Sequence, residues 1–229
     1  MLRDFVTLVG EPEIDPGPPQ YEKFSNETGI NLPDDYCAWA AHYSALEVCN
    51  ELLVANFLSH RERWTTRNNH MSVLRGLRAA RDATPEARVC VFDAANRPIG
   101  PQPWPPLYPE KGGLFYWGGD QNGAMYLWDT RNQDPNRWTV VVYDGTWQEF
   151  ECGFLSFLVK LLQGEFRESP MFIEGWPWIP AIKEARPLPH GEIDWHVPAR
   201  WASYFEEYEE RQNDVFDDWE DLSWVDRYR

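Results

Sequence analysis

The apolar positions of the chain repeat with two different periods. Phe154, Phe157, Leu158, Leu161 and Leu162 lie at i, i+3, i+4, i+7 and i+8, with Lys160 and Gln163 on the other side and Gly164 just beyond. That spacing predicts an amphipathic helix closed by a glycine, and burying five large side chains at ~1.5–3 kcal/mol each makes it a principal core element. Tyr36, Trp39, Ala40 and Tyr43 form a second helical face behind Leu32-Pro33-Asp34-Asp35. Proline in the first turn with two carboxylates beside it suits a helix N-terminus, so Asp34 and Asp35 read as caps rather than catalytic acids. Tyr21, Phe24 and Thr28 keep helical spacing up to Gly29, a C-cap position. From about residue 70, Val73, Leu74 and Leu77 share one face while Arg75, Arg78 and Arg81 point elsewhere, which predicts a basic amphipathic helix.

Elsewhere the pattern is that of strands. Aromatic and aliphatic residues from Leu114 to Trp128 flank Asn122-Gly123, which predicts a hairpin closed by a type I′ turn with positive φ at both central positions. Trp138 to Tyr143 is β-branched and aromatic, and Asp144-Gly145 turns it into a short strand through Trp147 and Phe150. Arg88 to Phe92 reads as a further strand. Residues 46–58 suit paired strands, although pattern alone does not separate these from a buried helix. The prolines from Pro98 to Pro109 predict a rigid crossing loop, a docking peptide for an aromatic groove being the other reading. Trp176, Trp178, Pro180, Pro187 and Pro189 mark an extended stretch, and beyond Pro198 the residues Trp201, Tyr204, Phe205, Tyr208, Val215, Trp219 and Leu222 return to a helical period. The division expected is therefore 1–168 as the main domain and 169–229 as a Pro/Trp-rich segment with an aromatic, acidic helix.

Charge changes the picture more than size does. Over 229 residues, 37 acidic side chains face 21 basic ones, a formal net charge of −16 at pH 7. Such a surface repels phosphate backbones and anionic membranes, so neither nucleic acid nor membrane is an expected partner. It attracts basic proteins and raises their rate of encounter, beyond serving solubility. The excess is concentrated late in the chain, where Glu206, Glu207, Glu209 and Glu210 begin an acidic run opposed only by Arg211, Arg227 and Arg229. That last helix either packs its aromatic side on the domain or offers both faces to a basic partner. The four cysteines, Cys37, Cys49, Cys90 and Cys152, form no CxxC pair, which points to a reduced, cytoplasmic protein rather than a disulfide or zinc framework. The apolar cluster Phe5, Val6, Leu8 and Val9 is too short for the core of a signal peptide.

Catalytic chemistry finds few footholds. No HExxH, GxSxG or P-loop is present, and no cofactor or metal is expected. Asp120 and Asn122 lack the other ligands of an EF-hand. His190, Glu192, Asp194 and His196 are the tightest group of metal-ligand types, but Pro189 and Pro198 around them favour a surface loop. The 13 tryptophans allow a sugar-stacking reading, and two carboxylates suffice for a glycosidase, yet Trp117, Trp128, Trp138 and Trp147 fall on or beside strands, where aromatic residues mostly pack.

The ordered set of Phe24 with Gly29-Ile30, Leu32-Pro33-Asp34-Asp35-Tyr36, Gly113-Leu114-Phe115-Tyr116-Trp117-Gly118, Asn122-Gly123 with Leu127-Trp128, and Phe154-Leu155-Ser156-Phe157-Leu158 closing at Leu162-Gln163-Gly164 resembles the SUKH superfamily. That superfamily includes fungal cell-wall-synthesis regulators and bacterial immunity proteins. The resemblance covers roughly residues 10–166, and departs from the family where Ser44-Ala45-Leu46-Glu47 replaces a Gly-rich loop. It implies an α+β fold with a central, mostly antiparallel sheet and packed helices. It further implies a non-enzymatic binding role, in bacterial members that of an antidote to a cognate intracellular toxin such as a nuclease. A basic toxin is then the expected partner, steered by Asp120, Asp129, Asp134 and Glu206, Glu207, Glu209 and Glu210, with an aromatic anchor such as Trp128. A cytosolic regulatory or scaffold protein is the alternative, and a carbohydrate-binding or hydrolysing domain a third reading.

Overall fold

The computed structural model describes residues 1–59, 67–166, 179–187 and 193–213. Six helices, α1 (Leu2–Val9), α2 (Tyr21–Thr28), α3 (Asp34–Ala40), α4 (Arg67–Ala83), α5 (Phe154–Leu162) and α6 (Ala202–Asn213), surround ten strands. The strands are β1 (Leu46–Val48), β2 (Leu52–Val54), β3 (Arg88–Asp93), β4 (Pro98–Pro103), β5 (Phe115–Asp120), β6 (Met125–Asp129), β7 (Thr139–Tyr143), β8 (Trp147–Phe150), β9 (Ile182–Pro187) and β10 (Ile193–His196). They form one sheet in the order β10-β9-β1-β2-β5-β6-β7-β8-β3-β4. Every neighbouring pair is antiparallel except β3 with β8. The protein thus has the α+β fold with a mostly antiparallel central sheet.

Alternation along the central strands divides the side chains between two cores. Phe115, Trp117, Tyr126, Trp128, Val140, Val142 and Phe150 face α1, α3 and α5, while Leu127, Val141, Trp147 and Val91 face Leu74 and Leu77 of α4 with Leu107 and Leu114. All five apolar positions expected on α5 are buried, and Leu155 and Val159 as well, so the helix is enclosed rather than half-exposed. Tyr36, Trp39, Ala40 and Tyr43 are buried as their spacing predicts. The helix α1 has no counterpart in the sequence reading; Phe5 and Val9, four apart and therefore on one side, pin it to the main core.

Local chemistry adds to or departs from the sequence reading around Asp35 and the β5–β6 turn. Asp35 serves two helices: its Oδ1 accepts from the Tyr36 amide in the first turn of α3 at 2.7 Å and its Oδ2 from the Leu155 amide at the start of α5 at 3.0 Å, while Asp34 exchanges hydrogen bonds with Asn136. Burial raises the Asp35 carboxyl above the usual aspartate range, against the amides that pull it down. The β5–β6 turn is not type I′, because Gly123 has positive φ (94°) but Asn122 does not. Asp120 sets this turn instead, its Oδ1 accepting from the Asn122 and Ala124 amides, each at 2.9 Å. Gly118 just before it has no room for a side chain, since a Cβ would stand 2.7 Å from the Leu53 carbonyl oxygen of β2.

The proline segment and the C-terminal region also differ from their sequence readings. Pro98–Pro103 is not a loop but the edge strand β4, paired with β3; an edge tolerates proline because one side of the strand needs no ladder donors. The described residues 179–187 and 193–196 are part of the main sheet rather than an appendage. Strand β9 pairs with β1, β10 pairs with β9, and one sheet crosses the boundary placed at 168. Trp176, Trp178, Val215, Trp219 and Leu222 lie outside the described residues.

Candidate functional site

Helix α6 resolves the choice between packing and presentation for its described part. Trp201 at its entry, Tyr204 and Phe205 are buried; the Trp201 indole donates to the Val9 carbonyl at 2.7 Å, and the Lys183 ammonium sits 4.7 Å from the Phe205 ring centre. Lys183 is also spent on Glu47 (3.0 Å) and Asn50 (2.6 Å) in and beside β1, so the helix is fastened to the β1–β2 turn. With its aromatic side inward, α6 turns Glu206, Glu209 and Glu210 to solvent. Glu207 is half-buried and lies 3.8 Å from Arg211 one turn on.

The same end of the sheet carries further acids. The β1–β2 and β5–β6 turns abut through Gln121 Nε2 donating to the Asn50 carbonyl (2.8 Å) and Asn122 Nδ2 donating to Glu51 (3.3 Å). Burial pushes the Glu51 carboxyl up, and the neighbouring Asp120 and Glu47 push it further. Burial likewise holds the Tyr204 phenol above its ordinary range, with Cys49, Tyr208 and Glu51 adding to the effect. An acidic edge therefore runs from Asp120 past Glu51 to α6. Glu51 was not singled out from sequence; its place in a turn between two apolar strands is the only cue, and it gains meaning from the pairing of turns distant in the chain.

The remaining expected partner contacts lie elsewhere. Trp128 is fully buried, edge-on to Tyr36 at 5.0 Å and stacked on Phe115 at 6.0 Å, so it is a core residue and not an exposed anchor. Asp129 is only 7% exposed and is held by the backbone amide and guanidinium of Arg131, which corrects its expected place on the surface. Asp134 is exposed, but its Oδ1 accepts from the Asn136 amide (3.0 Å) in a turn beside the start of α3, away from the acidic edge.

Groups with catalytic potential are engaged in structure. His196 contacts Glu13 through Nε2 (2.8 Å) and Arg186 through Nδ1 (2.7 Å), and Arg186 reaches Asp194 at 3.4 Å. His190 and Glu192 lie outside the described residues. Among the described residues no three histidine, cysteine or acidic side chains are placed to hold a metal ion. Burial drives the thiols of Cys37 and Cys152 up to about 11, which leaves them protonated and poorly nucleophilic at neutral pH. Among the described residues no helix is long and apolar enough to cross a membrane. No protein-family model, curated protein or solved structure matches the chain.

Proposed function

We propose that this is a non-enzymatic binding protein, an immunity protein of the SUKH type that binds and neutralises a cognate basic toxin in the bacterial cytoplasm. The observation that carries the reading is the seating of α6: Tyr204 and Phe205 are spent on the fold, with Tyr204 close to Glu51, so Glu206, Glu209 and Glu210 stand exposed on a rigid support. Carboxylates held this way face a cationic partner without first having to be ordered, which lowers the entropic cost of binding. A toxin that acts on a polyanion has a basic, phosphate-sized active site, and a fixed row of carboxylates can occupy it. The net charge of −16 extends the attraction beyond contact.

The test is kinetic. In the triple variant Glu206→Gln, Glu209→Gln, Glu210→Gln, association with the captured partner at low ionic strength is expected to slow by roughly tenfold, and the dependence of that rate on salt to flatten. These three side chains are exposed, so folding stability should change by less than about 0.5 kcal/mol. An unchanged association rate with an unchanged salt slope removes α6 from the binding surface.

A further inference from the structure

Toward the opposite end of the sheet, among β3, β4, β7 and β8, lies a groove of about 330 Å³. Val91, Val141 and Trp147 form its floor, from three adjacent strands. Its wall is the β4 edge and the segment that follows, from Ile99 to Trp104 and Pro106. Ile99 is 48% exposed, one of few large apolar side chains left on the described surface. Trp104 meets Trp147 edge-on at 6.0 Å. Prolines at 103, 105 and 106 fix the wall's backbone, so the groove is formed in advance of any ligand.

One end of the groove is charged, and its charges are unevenly paired. Trp147 and Glu149 lie two apart on β8 and so share its face, and Glu149 is directly opposite Val141. Asp129 takes the Arg131 guanidinium closely, through Nε at 2.6 Å. Glu149 meets that guanidinium only at 3.6 Å, with its side chain 39% exposed, and among the described residues its carboxylate accepts no hydrogen bond. Burial holds the Glu149 carboxyl above its usual range; Arg131 opposes this, while Asp129 and Glu151 reinforce it. Two carboxylates against one guanidinium leave the groove negative, so an anionic ligand is repelled. A cation arriving at Glu149 meets a partly exposed carboxylate that Arg131 engages only loosely.

An occupant must then pair a positive head with an apolar stem. Arginine does both: its guanidinium matches a carboxylate with two parallel donors and stacks on indole, and its methylenes cover apolar floor. Entry by side chain is favoured over strand addition, because Pro98, Pro101 and Pro103 remove half of the amide donors of β4. We propose that the groove binds an arginine side chain of a protein partner, with its guanidinium on Glu149 and its stem between Trp147, Val141 and Ile99. This is a second contact surface, remote from the acidic edge, and it rests on the protein-binding reading only for what carries the arginine.

The isolated full-length protein suffices for the test. With indole nitrogens labelled, acetyl-Leu-Arg-Leu-amide is titrated to about 5 mM, where even a millimolar Kd fills most of the site. The expected result is movement of the Trp104 and Trp147 indole resonances, with the glutamine analogue acetyl-Leu-Gln-Leu-amide binding about tenfold more weakly or less. Glu149→Gln is expected to bring the arginine peptide down to the level of the glutamine peptide. Ile99→Ser, at an exposed position that leaves the fold intact, is expected to weaken both peptides severalfold. Unmoved indole resonances, equal affinity for the two peptides, or full affinity in Glu149→Gln each overturn the proposal. None of these results alters the salt test on α6, so the two claims fail separately.

Discussion

Replacing Trp128 with alanine is expected to cost about 3–5 kcal/mol of folding stability, the largest effect of any single change considered for this protein. Trp128 lies on β6 between β5 and β7, where Phe115 and Val140 are its cross-strand partners. Its ring touches Tyr36, Phe115, Trp117, Trp138 and Phe154 at centroid distances of 5.0 to 6.2 Å. Truncation empties the meeting point of α3, α5 and the sheet, and neighbours of that size and stiffness cannot close a tryptophan-sized hole. The measurement is urea unfolding of the wild type and the variant at equal slope. A loss under about 0.5 kcal/mol with impaired partner binding would instead identify Trp128 as an interface anchor.

Glu184→Ala is expected to cost about 2–4 kcal/mol, because a buried carboxylate leaves two backbone donors stranded when it is removed. Glu184 is fully buried on β9 and accepts from the amides of Glu13 (3.0 Å) and Ile14 (2.6 Å), more than 160 residues earlier in the chain. Burial raises its carboxyl, opposed by these two amides and by His196. The Glu13 carboxylate in turn holds the His196 ring and the Ala199 amide, so the 11–15 segment and β9–β10 clamp each other. Loss of Glu184 should therefore speed hydrogen exchange at the Glu13 and Ile14 amides more than at core strand amides. Unchanged protection there would show that the segment is held by something other than Glu184.

These two residues also show what the sequence could and could not reveal. Helices α3 and α5 were legible because large apolar side chains sit at helical spacing on each, and strands β6 and β7 because β-branched and aromatic residues dominate them. Strands β9 and β10 were not, since Lys183, Glu184, Arg186 and Asp194 interrupt the alternation. Glu184 occupies a core position that its sequence neighbours do not justify; the amides of Glu13 and Ile14, with His196, offset its burial. Strand β4 was hidden by its prolines, which an edge accepts and a central strand would not. Trp128 and Asp129 looked like an anchor beside a charge because a single strand does not disclose that neighbours cover it on both sides and both faces. Among 37 acids, Glu149 carries no local mark and Glu51 only its place in a turn between apolar strands. Their roles come from strand order, which brings Glu51 beside Asp120 and sets Glu149 at the end of an apolar groove. The exposed acids of α6 were legible because the helical period itself sorts Tyr204 and Phe205 from Glu206, Glu209 and Glu210.

Tight binding of one basic protein is checked by purifying the tagged full-length chain from its native cell at low and at high salt and identifying what accompanies it by mass spectrometry. The expected result is a single stoichiometric basic protein at low salt, diminished at high salt and toxic when produced without this chain. Recovery of many substoichiometric partners, or of one acidic partner indifferent to salt, would contradict it.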